Sequence, residues 1–416
     1  MKKIISIIAV LAVAVGQTAC GNTADNKIEV TEATESISET TVEETTTAET
    51  ISEEKLLNAQ LEKDGYIYDE YETYIEITGY TGDDTEVVIP SEIDGKAVKV
   101  IGEGAFYENV NITSVKIPDG VVEIEKEAFF YCYYIKKLEI PDSVKSIGKQ
   151  AFARCGKLKK AKLPDGLTSI SDFLFCNCES LEKIEIPSNV TSIGEWAFYD
   201  CISLKEIKIP DSVKIIKNTA FSNCDSLTRV KISDSITSID GGVFSGCKNL
   251  KEVKIPDGVT SIDTNAFYGC TSLKKVDIPD SVKSISPGAF SETPWLENLS
   301  EPVIINNMLY KYESANGSVI VPYEITTISD GAFYDCENLT DVTFHDDITS
   351  IGIISFYGCE NLKKIEIPDS VKILGKWAFK DCINLTEVIL PDHFTKEEIE
   401  EAFEGTPFLE NYLAKE

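Results

Sequence analysis

A unit of 23 residues recurs along most of the chain, and it constrains the fold more than any other feature. The unit is clearest from Lys137 to Lys159, KLEIPDSVKSIGKQAFARCGKLK. An apolar residue next to a Pro-type turn recurs every 23 residues from Ile117 to Ile278, and again from Val321 to Leu390. Repeats of this length are typical of solenoids, in which each coil contacts only its neighbours. The sequence therefore predicts a stack of coils rather than one globular core.

Within each unit, the order of residue types predicts the local structure. In LKKAKL, Ala161 and Leu163 alternate with two lysines, which is typical of a short strand with one buried face. The segment LTSIS predicts a second parallel ladder, and a brief helical turn is expected to carry the recurring Phe. The predicted fold class is a β-rich solenoid of 23-residue coils, with short parallel ladders and brief helical turns.

The period breaks once, at Thr293, and resumes at Val321. The alternation within residues 303–321, together with the pair Asn316-Gly317, predicts a hairpin insertion there. The final GTPFLENYL repeats the pattern of ETPWLENLS at the break, so each marks the end of an array. We therefore predict a first array with an amino-terminal cap over residues 55–300. The hairpin and a second array with a carboxy-terminal cap occupy residues 301–416.

The amino terminus has the features of an export signal. Two lysines precede the apolar run from Ile4 to Val15, which is too short to span a bilayer. Residues 1–19 are therefore predicted to be a signal peptide, and Cys20 is predicted to be lipidated, since small residues precede it as in a bacterial lipobox. Residues 20–54 are rich in Thr and Glu and predict a disordered acidic tether. We expect a lipoprotein anchored at a bacterial cell surface, with secretion as the alternative.

The repeat resembles a known family. The unit LxxIxIPDSVxSIGxxAFxxC, found over about residues 64–412, is similar to the BspA-type, or Treponema pallidum-type, leucine-rich repeat. This resemblance implies a leucine-rich-repeat solenoid. It also implies a surface protein that binds host matrix proteins, plasma proteins or other cells, without a set of catalytic residues to carry over.

Charge and residue types argue against several functions. The net charge of −31 is opposite to that of proteins that bind nucleic acid. His345 and His393, the only histidines, belong to different coils, so no catalytic triad, metal site or cofactor is predicted. The recurring Phe and Cys occupy apolar positions, which favours core packing and buried thiols; disulfides or a metal ladder are the alternative for the cysteines. Cys176 lies outside the ladder.

The outward strand positions provide the best candidates for ligand contact. Over the first array they hold ten basic and five acidic residues, although the chain as a whole is acidic. A second group is the Tyr that follows Phe, because Tyr is favoured at interfaces. The candidates are Lys137, Lys160, Lys162, Lys183, Lys208, Arg229, Lys231, Lys254, Tyr199 and Tyr268. The alternatives are a sheet face stabilised by cross-strand ion pairs and tyrosines that cover the coil edge.

We therefore expect a non-enzymatic surface protein that presents a solenoid face for binding or adhesion. Its partner would be a protein or glycan of a host or a neighbouring cell, and a basic face favours an acidic or anionic one. A structural spacer or envelope scaffold without a specific ligand is the alternative. The ligand itself is not specified by the sequence.

Overall fold

A computed structural model of the chain describes residues 54–414; the predicted signal peptide, Cys20 and nearly all of the predicted tether lie outside this range. The chain divides between Asn189 and Val190 into two compact units. Both are β-solenoids with repeats of about 23 residues, and about 14 turns are present in all. The predicted fold class is confirmed.

From residue 54 onward, the first unit has an antiparallel cap followed by two parallel ladders. Its strands are β1 (Leu56–Lys63), β2 (Tyr66–Tyr71), β3 (Tyr74–Tyr80), β4 (Glu86–Val88), β5 (Glu92–Ile93), β6 (Lys96–Ile101), β7 (Ser114–Lys116), β8 (Glu123–Ile124), β9 (Lys137–Glu139), β10 (Ser146–Ile147), β11 (Lys160–Lys162), β12 (Ser169–Ile170) and β13 (Lys183–Ile184). Strands β1, β2 and β3 pair antiparallel, and β3, β6, β8 and β10 pair parallel. On the other ladder β4 pairs with β7, and β9, β11 and β13 pair in order.

The second unit repeats the two ladders. Its strands are β14 (Ser192–Ile193), β15 (Glu206–Lys208), β16 (Ile215–Ile216), β17 (Arg229–Lys231), β18 (Ser238–Ile239), β19 (Glu252–Lys254), β20 (Ser261–Ile262), β21 (Lys275–Asp277), β22 (Ser284–Ile285), β23 (Val303–Ile305), β24 (Met308–Lys311), β25 (Gly317–Ile320), β26 (Thr327–Ile328), β27 (Leu339–Thr343), β28 (Ser350–Ile351), β29 (Lys364–Glu366), β30 (Ile373–Leu374) and β31 (Glu387–Ile389). Its helices are α1 (Pro294–Glu297), α2 (Lys396–Ala402) and α3 (Pro407–Leu413). Strands β24, β26, β28 and β30 form one parallel ladder, and β25, β27, β29 and β31 form the other.

The hairpin in the break is shorter than expected and turns at a different place. Strands β23 and β24 pair antiparallel around Asn306 and Asn307, whose φ angles are 47° and 63°. Asn tolerates the left-handed region, which a two-residue hairpin turn requires at both positions. Gly317 instead begins β25, which pairs parallel with β27. The predicted turn at Asn316-Gly317 is therefore wrong, because the residues from Gly317 onward form a strand that pairs parallel with the next coil.

Each coil buries a Phe in the same position. The segment that carries it is a series of turns, because left-handed residues such as Gln150 and Arg154 interrupt it within four residues. The largest fully buried side chains are Phe106, Phe129, Phe152, Phe175, Phe198, Phe221, Phe244, Phe267, Phe290, Phe333, Phe356 and Phe379. The core is thus a column of aromatic rings within each unit.

Two similar helices each follow the last Phe of a run of coils. Helix α1 follows Phe290 at the break in the repeat, and α3 follows Phe403 near the carboxy terminus. Thr293 caps α1 and Thr406 caps α3, and Pro follows each Thr. The Thr293 hydroxyl accepts a hydrogen bond from the backbone N–H of Leu296, and the Thr406 hydroxyl accepts one from that of Leu409. Trp295 packs edge-on against Phe290, with ring centroids 4.7 Å apart. Phe408 contacts Phe403 in the same way, at 5.1 Å. These aromatic rings cover the ends of the Phe column.

Candidate binding surface

Three lysines lie opposite one another on adjacent strands of the first unit. Lys160 on β11 is in register with Lys137 on β9 and with Lys183 on β13. All three side chains are exposed. Like charges directly opposite one another destabilise a sheet. Folding of the sheet therefore does not account for this set, which we call the lysine column (Lys137, Lys160 and Lys183).

Carboxylates neutralise part of the lysine column. Lys137 Nζ lies 2.5 Å from Glu139 Oε1, and Lys183 Nζ lies 2.8 Å from Glu185 Oε1. The hydrogen bond to its lysine holds the pKa of each of these glutamates below the usual range. Lys160, at the centre, forms no ion pair with any residue of 54–414. The uncompensated positive charge is therefore greatest at Lys160.

A concave groove of about 410 Å³ lies over β9, β11 and β13. The apolar strand residues, such as Ala161 and Ile184, contribute to its lining, and Lys162 joins the lysine column at its wall. The nearest carboxylate to Lys162 is that of Asp142, with Nζ and Oδ2 3.7 Å apart. The charged lining residues are Lys137, Glu139, Lys160, Lys162, Asp165, Lys183 and Glu185. The groove is thus partly apolar, and four lysines and three carboxylates line it.

The candidates of the second unit lie among more carboxylates. Lys208 is opposite Lys231, but Lys231 Nζ lies 3.0 Å from Asp211 Oδ1. Arg229 is opposite a glutamate on β15, and Lys254 is opposite an aspartate on β21. The structure therefore brings together four of the eight basic candidates in one groove of the first unit. It places the other four on a surface of mixed charge.

The two tyrosine candidates are held by contacts within the protein. Tyr199 is only 6% exposed, packs against Trp196, and accepts a hydrogen bond from Asn223 Nδ2 at 3.2 Å. Tyr268 is partly buried and donates a hydrogen bond to Glu292 Oε1 at 2.9 Å. Burial, together with the neighbouring carboxylate, raises the pKa of Tyr268 to about 12. This placement does not favour Tyr199 as a contact residue, because the neighbouring aromatic ring and amide cover it.

The ladder cysteines face the core. Ten of them are buried thiols, and the Sγ of Cys247 donates to the carbonyl of Phe221 at 3.2 Å, a contact that recurs along the ladder. Burial raises the pKa of Cys247 well above its ordinary value. A thiol held in this state is a poor nucleophile and a poor metal ligand. Residues 54–414 contain no group of three or more His, Cys, Asp and Glu side chains that could hold a metal ion.

Each of the two histidines forms a hydrogen bond with a backbone carbonyl group of the preceding coil. His345 Nε2 lies 2.9 Å from the carbonyl of Pro322, and His393 Nε2 lies 2.9 Å from that of Val371. Each ring therefore bridges its own coil to the preceding one. Within the described part of the chain, no helix is long and apolar enough to cross a membrane.

One cluster was not found from the sequence. In the stretch FFYCYY, from Phe129 to Tyr134, three tyrosines (Tyr131, Tyr133 and Tyr134) stand at places where most other coils have non-aromatic residues. Tyr131 and Tyr134 are exposed, and Tyr107 of the preceding coil stacks on Phe130. The sequence shows these tyrosines as a departure from the repeat. Only the stacking of coils shows that they form one surface with Tyr107.

Comparison with known proteins identifies the repeat. The model of the BspA type leucine rich repeat region matches residues 99–228, 168–297 and 303–415. No curated protein matches the chain. Among solved structures, the chain is similar to a leucine-rich repeat protein from Bacteroides ovatus, with 25% identity and a TM-score of 0.49 over 80% of this chain and 88% of that one.

Two further structures are similar. A leucine rich cell surface protein from Faecalibacterium prausnitzii is 24% identical, with a TM-score of 0.41 over 83% of this chain and 98% of that one. The T. pallidum leucine-rich repeat protein is 31% identical, with a TM-score of 0.37 over 51% of this chain and 90% of that one. On the strength of the repeat model, which matches more than half of its length, the chain belongs to the family of proteins with BspA-type leucine-rich repeats.

Proposed function

We propose that this protein is a non-enzymatic binding protein of a bacterial cell surface, and that its ligand is an acidic protein segment or an anionic glycan. The observation that carries the proposal is the lysine column. Lys160 stands between two other lysines in register, beside a groove, and has no carboxylate partner within residues 54–414. A charge arrangement that opposes folding of the sheet is explained if an anion occupies the groove.

The position of the charge supports binding in a second way. The protein carries a net charge of −31, so an anionic partner is repelled by most of its surface. A local basic groove then selects both where and in which orientation such a partner binds, because complementary charge raises the rate of productive encounter. Ion pairing at the two ends of the lysine column leaves Lys160 as the main contact, and Lys162 beside it has a longer ion pair, with Asp142 at 3.7 Å.

Surface location and lipid anchoring are part of the same proposal. They rest on the apolar run before Cys20 and on the acidic Thr-rich segment that follows it. One of the similar solved structures is named a cell surface protein. A spacer without a ligand is the second candidate, and the ion pairs of Lys137 and Lys183 with their neighbouring glutamates favour it.

The lysine column can be tested with two anionic probes, heparin and poly-L-glutamate, titrated into the purified protein. We expect at least one probe to bind, and Lys160→Glu to weaken its binding by about tenfold or more, since it places a repelling charge in the groove. The matched control is Lys364→Glu, which changes the net charge equally. Lys364 occupies the same strand position but lies in register with Asp341 and Glu387.

The two candidates predict different outcomes. Lys160→Glu places a carboxylate between two lysines, so folding is not expected to suffer, and thermal unfolding checks this. Binding that is lost in Lys160→Glu and kept in Lys364→Glu supports a ligand site in the groove. If neither probe binds, or if both variants bind as the wild type does, the groove is not an anion site and the spacer is favoured.

A further inference from the structure

The aromatic cluster of the first unit covers two successive coils. It consists of Tyr107, Tyr131 and Tyr134, which are 47%, 37% and 47% exposed, and of Phe130 and Tyr133 packed beneath them. We call this set the aromatic patch. Tyr107 stacks on Phe130 with centroids 5.0 Å apart, and Tyr133 meets Tyr134 edge-on at 5.1 Å. Contiguous exposed aromatic side chains on a soluble protein mark interaction sites.

Two residues of this region occupy unfavourable backbone positions. Tyr131 and Arg154 have φ angles of 57° and 61°. At the equivalent place most other coils have Asn, Asp or Gly, as in Asn177, Asp200 and Gly246. Those residue types enter the left-handed region readily, whereas bulky side chains do not. A tyrosine and an arginine at these positions therefore oppose local folding. The contacts they make in return are few: the Arg154 guanidinium lies 6.0 Å from the centroid of the Phe130 ring, and the Tyr131 ring lies 6.1 Å from that of Tyr133.

The charges beside the patch are arranged symmetrically. Glu108, Tyr131 and Arg154 are 23 residues apart and occupy the same place in three successive coils. Their backbone N–H groups donate to the next coil at 2.8, 2.8 and 2.7 Å, to Phe130, Ala153 and Cys176 in turn. The order along this line is thus negative, aromatic, positive. Neither Glu108 nor Arg154 forms an ion pair within residues 54–414, and the Nε of Arg154 has no hydrogen-bond partner there.

We propose that the aromatic patch is the contact surface of a homodimer, in which a second copy of this chain packs antiparallel across the coil of residues 128–135. The two-fold axis passes through Tyr131 and runs parallel to the segment 131–134. It reverses the order of the coils in the second copy. Residues that occupy the same place in successive coils of one copy therefore face residues at that same place in the other copy. Glu108 of one copy then faces Arg154 of the other, twice, and Tyr131 faces Tyr131. Within residues 54–414 of one chain, Glu108 has only the hydroxyl of Tyr107, and Arg154 only the face of the Phe130 ring. Such an isologous contact gives each of the two charges an oppositely charged partner.

The composition of the patch fits this partner. Tyr and Arg are enriched in the buried centres of protein interfaces, where they account for much of the binding energy. The interplanar angle is 50° between Tyr131 and Tyr133 and 86° between Tyr133 and Tyr134. The tyrosine rings therefore form an uneven surface rather than a planar one. The line from Asn111 through Tyr134 to Lys157 is also compatible with the two-fold, since an amide then faces an ammonium group.

Charge reversal tests the pairing directly. Sedimentation velocity of the purified protein at physiological salt, over a ~100-fold range of concentration, is expected to show a monomer–dimer equilibrium. Glu108→Arg and Arg154→Glu each place like charges across the axis, so each alone is expected to raise the dissociation constant about tenfold or more. An equimolar mixture of the two variants restores opposite charges at both contacts, and a heterodimer is expected to form.

Two controls separate the interface from the fold. Tyr131→Asn introduces the residue that the backbone favours, so thermal stability is expected to be kept or raised while the dimer is weakened. Glu366→Arg changes the net charge as Glu108→Arg does, at an exposed site outside the patch, and is expected to leave the dimer unchanged. The proposal is overturned if the wild type stays monomeric throughout, if the mixture of variants does not associate, or if Tyr131→Asn dimerises as tightly as the wild type.

Discussion

The rings of Phe198 and Phe221 lie parallel, with centroids 5.2 Å apart and an interplanar angle of 2°. The two residues occupy the same place in successive coils, and neither is exposed. Phe221 stacks in turn on Phe244 at 5.6 Å. Each ring therefore packs against the rings of both adjacent coils. The stability of a coil thus depends on its neighbours.

Removal of one ring is expected to be costly. Phe221→Ala leaves a cavity between two rings that cannot close over it, and we expect the free energy of unfolding to fall by about 3–5 kcal/mol. Chemical denaturation measures this change. Tyr323→Ala is the control, because that ring is 78% exposed, and it is expected to change stability by less than about 0.5 kcal/mol. Equal effects of the two substitutions would contradict the structural role of the column.

Gly148 is required by the close stacking of coils. A Cβ atom at this position would lie 2.4 Å from the backbone N of Lys126 and 2.6 Å from the carbonyl carbon of Glu125. Gly148→Ala is therefore expected to destabilise the protein by about 1–3 kcal/mol, because backbone must move. At Gly120 the nearest atom to such a Cβ is 3.5 Å away. Gly120→Ala is expected to be neutral or slightly stabilising in the same denaturation assay.

The ladder cysteines are expected to be reduced and inaccessible. In a background carrying Cys20→Ala and Cys176→Ala, a thiol reagent should label none of the ten ladder cysteines in the native protein, because all ten are buried. In the unfolded, unreduced protein it should label all ten. Fewer than nine labelled thiols after unfolding would mean that disulfides link some of the coils.

Much of the fold follows from periodicity alone. The 23-residue step assigns each Phe, Cys and strand residue to a place in the coil, and the structure confirms the ladders at LKKAKL and LTSIS. Local geometry inside the turns does not follow from the period. Asn306 and Asn307 form the hairpin turn, although Asn-Gly, as at Asn316-Gly317, is the pair more often found in such turns. The reason is that Gly317 begins β25, which pairs with β27 in the parallel ladder.

The candidate surface could be predicted only in part. Strand alternation correctly places Lys160 on the outward face, but the register that puts it between two other lysines depends on the stacking. Tyr199 is buried because Trp196 packs against its ring, and the place of Tyr199 in the repeat does not predict that contact. In the aromatic patch, four of the five members are consecutive or nearly so in the sequence, from Phe130 to Tyr134. The stacking of coils adds Tyr107, which the sequence alone does not place beside Phe130.

Lipidation at Cys20 is open to a direct test. Cys20→Ala removes the thiol that would carry the acyl chains, so incorporation of labelled fatty acid by the producing bacterium is expected to fall to background. The protein is then expected in the medium or periplasm rather than in the membrane fraction. The matched control is Cys176→Ala, which leaves the amino terminus intact. Labelling that persists in Cys20→Ala would show that Cys20 is not the acylated residue.

Glu76 makes stability depend on pH. It lies on β3, partly buried, and burial followed by the charge of Glu125 raises its pKa from 4.5 to about 7. Because the folded chain then holds a proton that the unfolded chain releases, the folded state loses stability as the pH rises from about 4.5 to about 7, with no further loss from this group above that range. The protonated carboxyl is thus the stable form in the fold.

Glu76→Gln mimics that protonated form and isolates the effect. We expect the substitution to stabilise the protein relative to the wild type at pH 8 and to have a much smaller effect at pH 4.5, because only at the higher pH does the wild type bear the buried charge. Denaturation midpoints at the two pH values measure the difference. Glu92→Gln, on the exposed side of β5, is the control and should show no such dependence. An equal gain from Glu76→Gln at both pH values would show that the carboxylate at Glu76 is not disfavoured by the fold.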